Sequence, residues 1–343
     1  MHEPVLVTGA AGFIGFHVAR RLLEDGQHVV GLDNLNSYYD PGLKDARRAV
    51  LAKHDGFSFV KGDISDRDGM AALFAEHRFA YVVHLAAQVG VRYSLAEPQA
   101  YIDSNLVGFA NILEGCRHHG CKHLLYASSS SVYGANTSLP SRTSDNVDHP
   151  LNLYGATKKA NELMAHAYAH LFSIPTTGLR FFTVYGPWGR PDMAIWLFTA
   201  AIMVGKPVRL FNHGQMRRDF TYIDDITEAV VRLVRRPPAP NPAWSGDRPD
   251  PATSRAPWHV YNIGNSHPVE LLEVVTQIEH AVGRPAAREF LPIQPGDALE
   301  TFADCSDLES TIGFRPSTAL ADGIRGFVQW YRDFHAGRNT QSK

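Results

Sequence analysis

Tyr154 and Lys158 stand four residues apart in Tyr154-Gly155-Ala156-Thr157-Lys158, at the head of a segment whose helical spacing continues through Leu163, Met164, Ala167, Tyr168 and Leu171. At that separation they share one helix face. An ammonium beside a phenol favours phenolate, which brings a group of ordinary pKa about 10 toward useful base strength near neutral pH. The same spacing also occurs on plain helix surfaces, so a second signal is needed. It comes from Ser128-Ser129-Ser130-Ser131-Val132-Tyr133-Gly134, which follows the apolar run His123-Leu124-Leu125-Tyr126-Ala127. Hydroxyls there sit at the carboxyl end of a strand, where open α/β sheets bind ligands. The candidate catalytic set is Ser129, Tyr154 and Lys158.

Such a set needs elements that bring an electron acceptor to it. Thr8-Gly9-Ala10-Ala11-Gly12-Phe13-Ile14-Gly15 joins the apolar strand Val5-Leu6-Val7 to an amphipathic helix through a glycine-rich turn. Gly9 allows the tight turn, Gly12 lets backbone N–H groups approach a pyrophosphate, and Gly15 lets helix pack closely on strand. The helix N-terminus, with Phe13 and Ile14, adds partial positive charge. Val29-Val30-Gly31-Leu32-Asp33 reads as a second buried strand ending in a carboxylate placed to hold a ribose diol. An acid at Asp33 favours NAD, because a 2′-phosphate would meet a like charge.

Strand-like segments near Val5, Val29, Phe57, Tyr81, His123 and Thr176 alternate with helix-like ones. This predicts an α/β fold with a doubly wound parallel sheet (Rossmann) over residues 1–180 and a smaller mixed C-terminal substrate lobe over 181–343. In the later part, helices are expected from about Asp225 to Arg235, near Val269 to Val282 and from Ala319 to Phe334. Residues 236–258, rich in proline, read as an exposed, poorly ordered insertion. The chain of 343 residues is 44% hydrophobic with a formal net charge of −2, which implies no standing attraction to nucleic acid or an anionic membrane. Three cysteines without framework spacing suit reduced thiols in a cytoplasmic setting, and with a first strand beginning almost at once no signal peptide is expected. The longest apolar run, Ala194 to Val204, is too short to span a bilayer. His166 and His170 lack the further ligands a metal would require, so no metal site is expected.

With these motifs in view, the chain resembles the extended short-chain dehydrogenase/reductases, the nucleotide-sugar epimerases and dehydratases. The resemblance runs through Gly9-x-x-Gly12-x-x-Gly15, Asp33, Asp63-Ile64, Leu85-Ala86-Ala87-Gln88, Asn105, the serine run, Tyr154-x-x-x-Lys158 and Arg218-Asp219-Phe220. It implies that Ser129 orients the substrate 4-hydroxyl, Tyr154 is the base, and Lys158 tunes it and holds the nicotinamide ribose of a tightly bound NAD. Asp33 would hold the adenosine ribose, Asp63 and Ile64 the adenine end, and Ala86, Ala87, Gln88 and Asn105 would line the cofactor groove. A homodimer through a four-helix bundle, using the helix after Tyr154 and that near Leu106 to Leu113, is implied as well.

The branch is argued from missing acids. Dehydratases of this family carry Asp-Glu where Ser130-Ser131 stand, and decarboxylating relatives carry Glu at the position of Ser131. A site without them is equipped for reversible hydride transfer alone. Arg180-Phe181-Phe182-Thr183-Val184-Tyr185-Gly186-Pro187, continuing to Arg190-Pro191-Asp192, resembles the UDP-glucuronate 4-epimerases, whereas neutral-hexose epimerases usually have Asn at the position of Thr183. Arg190 and Arg218 are candidate pyrophosphate partners, and Asp297 a candidate ribose contact. Ser128, Ser130 and Thr183 are expected to hold a substrate carboxylate in the plane that disfavours loss of CO₂. UDP-glucose 4-epimerisation, UDP-glucuronate decarboxylation and a non-catalytic NAD-binding sensor remain the alternatives.

Overall fold

A computed structural model describes residues 3–341. The chain runs β1 (Val5–Thr8), α1 (Phe13–Glu24), β2 (Val29–Asp33), α2 (Pro41–Leu51), β3 (Phe57–Lys61), α3 (Arg67–His77), β4 (Tyr81–His84), α4 (Tyr93–Ala96), α5 (Pro98–Tyr101), a π-helical turn (Ile102–Val107), α6 (Gly108–His118) and β5 (His123–Ser129). It continues through α7 (Leu153–Phe172), β6 (Thr176–Phe181), β7 (Thr183–Tyr185), α8 (Ala194–Val204), β8 (Val208–Leu210), β9 (Arg217–Tyr222), α9 (Ile223–Val234), β10 (Trp258–Ile263), β11 (Pro268–Glu270), α10 (Leu271–Val282), β12 (Arg288–Phe290), α11 (Ser306–Ile312) and α12 (Leu320–Gln341).

The central sheet has seven parallel strands in the order β10-β6-β5-β4-β1-β2-β3. Its strands are continuous apolar runs because both faces are covered. Val5, Val7, Val83 and Leu125 face one layer with α1, α9 and α11, whereas Leu6, Val82, Leu124 and Tyr126 face the other with α3, α6 and α7. The strand order reverses between β1 and β4, which opens the crevice where this sheet type takes ligands. The smaller sheets, β11-β9-β7 and β12-β8, pack with α8, α10 and α12 around Tyr185, Phe198, Phe220, Val275 and Phe327.

Two features differ from the sequence expectation. The seventh strand, β10, comes from far beyond residue 180, so the large sheet draws on both parts of the chain. Nothing local announces it, since a parallel strand finds its partner only through a long crossover. The proline-rich connection before β10 is exposed in part but is not loose. Ala252, Ser254 and Ala256 are buried, Asn241 N donates to Ser254 O, Val260 N donates to Ala252 O, and the Trp244 indole donates to Asp250 O. No helix among the described residues is long and apolar enough to cross a membrane.

Candidate active site

A cavity of about 740 Å³ lies along the carboxyl ends of the central strands, between the sheet and the smaller lobe. One end is built by the turn between β1 and α1. Gly9 has φ +71°, and a Cβ there would stand 2.9 Å from Ala86 N. Gly12 N donates to Gly9 O at 2.8 Å, and a Cβ on Gly15 would meet that same oxygen at 2.1 Å. No side chain caps α1 and no acid occupies its first turn. Its N-terminal N–H groups and dipole therefore face the cavity, as a pyrophosphate requires. Gly9, Gly12, Phe13, Ile14 and Gly15 all line the wall.

Asp33 ends β2 at the next bend of the wall, its carboxylate oxygens accepting from Ala11 N at 3.1 Å and Leu35 N at 2.9 Å. Sequence reasoning missed its neighbour Lys44 on α2, which also lines the cavity and donates through Nζ to Asn36 Oδ1 at 2.7 Å. Burial lowers the Lys44 pKa while the charge of Asp33 opposes that shift. A glycine cradle, an uncapped helix end and an acid at the end of β2 fit the pyrophosphate and adenosine ribose of NAD. Ala86, Ala87 and Gln88 form the facing wall.

Two residues expected at this groove are not part of its lining. The Asp63 carboxylate accepts from Asn34 Nδ2 at 2.8 Å and from Ser65, and the wall there is Gly62 and Ile64. Burial pushes Asp63 up, yet these hydrogen bonds outweigh it and its pKa falls below the usual value. Asn105, in the π-helical turn, is 1% exposed. Its amide group bonds both backbone groups of Gln88, at 2.8 and 3.1 Å, and Thr157 Oγ1 at 3.0 Å. Asn105 thus shapes the groove by holding the Gln88 backbone.

The chemical end gathers Ser129, Ser130, Ser131, Tyr154, Lys158, Thr183 and Arg190 on the same cavity. Asn152 caps α7, its side chain accepting from Gly155 N at 2.8 Å, and this starts the helix at the level of the serine turn. Tyr101 meets Tyr154 edge-on, with ring centroids 6.2 Å apart. Burial raises the Tyr154 pKa, whereas a hydrogen bond with Ser129 and the charge of Arg190 lower it. Lys158 is 2% exposed, donates to Ala127 O at 2.9 Å, and is lowered by burial to about 7.

Arg190 lines the same cavity, close enough to Tyr154 for its charge to act on the phenol. It donates to Asp192 through Nε at 3.0 Å and Nη2 at 2.5 Å, and Tyr38 OH donates to the same carboxylate at 3.1 Å. Its loop is drawn against the sheet domain by His17 Nε2, 2.9 Å from Pro187 O, and by Arg47, which bonds Trp188 O, Gly189 O and Ala11 O. The contacts to Pro187, Trp188 and Gly189 span well over one hundred residues of sequence, so no local pattern reveals them. Ser128 also lines the cavity, but its buried hydroxyl is engaged from the other side, donating to Glu162 Oε1 at 2.6 Å. At the far end Arg218 lines the cavity while donating to Leu299 O at 2.9 Å and to Ala298 O, and Asp297 accepts from Arg92 at 2.9 Å. Among the described residues no cluster of three His, Cys, Asp or Glu is placed to hold a metal.

The chain is similar to known proteins over nearly its whole length. The model of the NAD dependent epimerase/dehydratase family matches residues 5–246. A probable UDP-glucuronate 4-epimerase of Rhizobium meliloti is 50% identical over 329 residues, covering 95% of this chain and 96% of that protein. The crystal structure of UDP-glucuronic acid 4-epimerase from Bacillus cereus, in complex with UDP-glucuronic acid and NAD, superposes with a TM-score of 0.84 at 32% identity, over 96% of this chain and 99% of that one. UDP-glucose 4-epimerase from Thermotoga maritima, solved with UDP-glucose, gives a TM-score of 0.84 at 27% identity, over 97% and 99%.

Proposed function

The chain belongs to the NAD-dependent epimerase/dehydratase family, and from that premise we propose that it interconverts UDP-glucuronate and UDP-galacturonate at C4. The observation that carries this reading is the absence of acid at the chemical end of the cavity. Its lining acids are Asp33, Asp297 and Glu300, whereas the wall from Ser129 to Ser131 and Thr183 offers hydroxyls. Elimination of water needs a second acid/base pair beside the tyrosine, and none of the described side chains there supplies it.

NAD, when bound, supplies the reversible oxidising power at C4; Gly9, Gly12 and the N-terminus of α1 would hold its pyrophosphate, and Asp33 and Lys44 its adenosine ribose. Ser129 orients the 4-hydroxyl toward Tyr154. Tyr154, as phenolate, takes the hydroxyl proton while C4 becomes a ketone, and it returns that proton after the sugar has turned over. Arg190 favours the phenolate by its charge, and Lys158 fixes the height of α7 against β5 through Ala127 O. Arg218 and Asp297 would meet the nucleotide end. The C6 carboxylate of a uronate would meet Ser130, Thr183 and the Arg190 side of the cavity. In this reading residues 1–180 carry the cofactor, residues 181–343 most of the nucleotide sugar, and the enzyme works in the cytoplasm.

A second reading, epimerisation of UDP-glucose, is favoured by the structural likeness to the Thermotoga enzyme, whose TM-score is the same although its identity is lower. Parallel incubations with the two sugars, resolved by chromatography, decide between them; turnover of UDP-glucose alone would sink the uronate reading. We also propose a homodimer through α6 and α7, since Leu163 and Leu171 on α7 are 59% and 67% exposed. A monomeric mass in light scattering at micromolar protein would contradict it.

A further inference from the structure

Ser128 and Arg180 are direct partners across β5 and β6, and both side chains converge on Glu162 of α7. Ser128 Oγ donates to Glu162 Oε1 at 2.6 Å, Arg180 Nε donates to the same oxygen at 2.8 Å, and Arg180 Nη2 donates to Oε2 at 2.9 Å. Glu162 is 1% and Arg180 0% exposed. Arg180 Nη1 donates to Tyr133 OH at 3.1 Å, and that hydroxyl donates to Asn262 Oδ1 at 2.7 Å. Glu162 lies two turns beyond Tyr154 on the same helix face. As a result α7 meets β5 and the serine turn at three successive levels. A Cβ on Gly155 would stand 2.6 Å from Ser131 O, Lys158 bonds Ala127 O, and Glu162 bonds Ser128.

A buried ion pair is weak as a source of stability, because desolvating both charges offsets their attraction, and its better-attested use is to select one geometry. We propose that Glu162, Arg180 and Ser128 form a positioning unit that locks the serine turn to α7 and so holds the Ser129 hydroxyl against Tyr154. Ser128 is then a tether and not a ligand of the sugar. The assignment rests on the proposed chemistry only in taking Ser129 and Tyr154 as the proton-handling pair.

The test uses NAD-loaded protein carrying 3-fluorotyrosine at position 154, titrated by fluorine NMR without any sugar. Glu162→Gln strands the buried guanidinium of Arg180 and is expected to unfold the protein, so Ser128→Ala, which leaves the ion pair whole, carries the test. With the fold checked by circular dichroism, Ser128→Ala should move the Tyr154 midpoint up by roughly one pH unit, as the hydrogen bond from Ser129 loosens. Ser128→Thr, which keeps a hydroxyl, should restore it. With UDP-glucuronate, Ser128→Ala should lower kcat roughly tenfold to a hundredfold, with KM within about twofold. A midpoint that stays put in Ser128→Ala overturns the proposal, as does a raised KM at unchanged kcat, which would make Ser128 a sugar ligand. If the wild-type protein turns over no UDP-glucuronate, the epimerase reading fails, and the NMR midpoint alone still decides this one.

Discussion

Lys158 Nζ donates to the carbonyl oxygen of Ala127 at 2.9 Å, from a side chain that is 2% exposed. The ammonium that shares a helix face with Tyr154 is thereby bonded to the strand leading into Ser129. Burial lowers its pKa from 10.5 to about 7. The unfolded chain therefore binds more protons than the folded one between those values, and stability rises with pH across that window. Lys158→Met should reduce turnover roughly a hundredfold or more. It should also raise the melting temperature at pH 7 and below, where the buried charge is least favourable, and flatten the rise in stability between pH 7 and 10. A variant that loses both activity and stability at pH 7 would contradict this division of roles.

Thr183→Ala addresses substrate chemistry. A C4 ketone stands β to the C6 carboxylate of a uronate, so CO₂ is lost readily unless the carboxylate is held in the disfavoured orientation. With the Ser128 hydroxyl engaged by Glu162, Ser130 and Thr183 are the hydroxyls left for that task. Chromatography of the products should show a UDP-pentose that the parent protein does not release. An unchanged product distribution would remove Thr183 from this role.

Gly15→Ala tests the cofactor cradle. The added Cβ would stand 2.1 Å from Gly9 O and 2.7 Å from Gly9 C, both backbone atoms that cannot swing aside. Overpacking of this kind costs about 1–3 kcal/mol, and it opens the turn that would hold the pyrophosphate. The variant should purify with less than about a tenth of the NAD retained by the parent. Gly246→Ala, where the nearest heavy atom is 4.0 Å away, should retain NAD normally. Equal retention by both would mean that the cofactor sits elsewhere.

Acid should destabilise the fold through buried neutral histidines. Burial lowers His17 and His84 to about 3, and His123 to about 4, from 6.5. Between those values and 6.5 the unfolded chain takes up protons that the folded one does not. Stability is then fully present above pH 6.5 and falls by about 1.4 kcal/mol per pH unit for each histidine as pH drops, until about pH 4 for His123 and about pH 3 for His17 and His84. Urea midpoints measured from pH 7 to 4 should trace this fall, and His84→Gln should make it shallower. A flat profile would show that these rings are charged in the folded state.

Much of the architecture was legible in the sequence, for physical reasons that also mark where legibility stopped. The strands beginning at Val5, Val29, Phe57, Tyr81, His123 and Thr176 stand where short buried runs met glycine or helix signals, since fully covered parallel strands carry an uninterrupted apolar signature. The run Ala194 to Val204, set aside only as too short for a bilayer, proved to be α8, and Trp258–Ile263 went unread behind its proline-rich approach. At the site, Gly9, Asp33, Ser129, Tyr154 and Thr183 line one cavity because the motifs sit at strand ends. What sequence could not supply was side-chain employment. Asn105 faces Gln88, Asp63 faces Asn34, and Ser128 faces Glu162, while Arg190 is aimed by His17 and Arg47 through its loop. Each depends on partners distant in the chain.

The most direct test of the central claim is proton NMR of UDP-glucuronate incubated with the purified protein without added NAD. The anomeric and H4 signals of UDP-galacturonate should appear, growing to a fixed ratio with the starting sugar that is reached from either side, with no net NADH. Conversion to a UDP-pentose, or UDP-glucuronate left unchanged even after NAD is supplied, would contradict it.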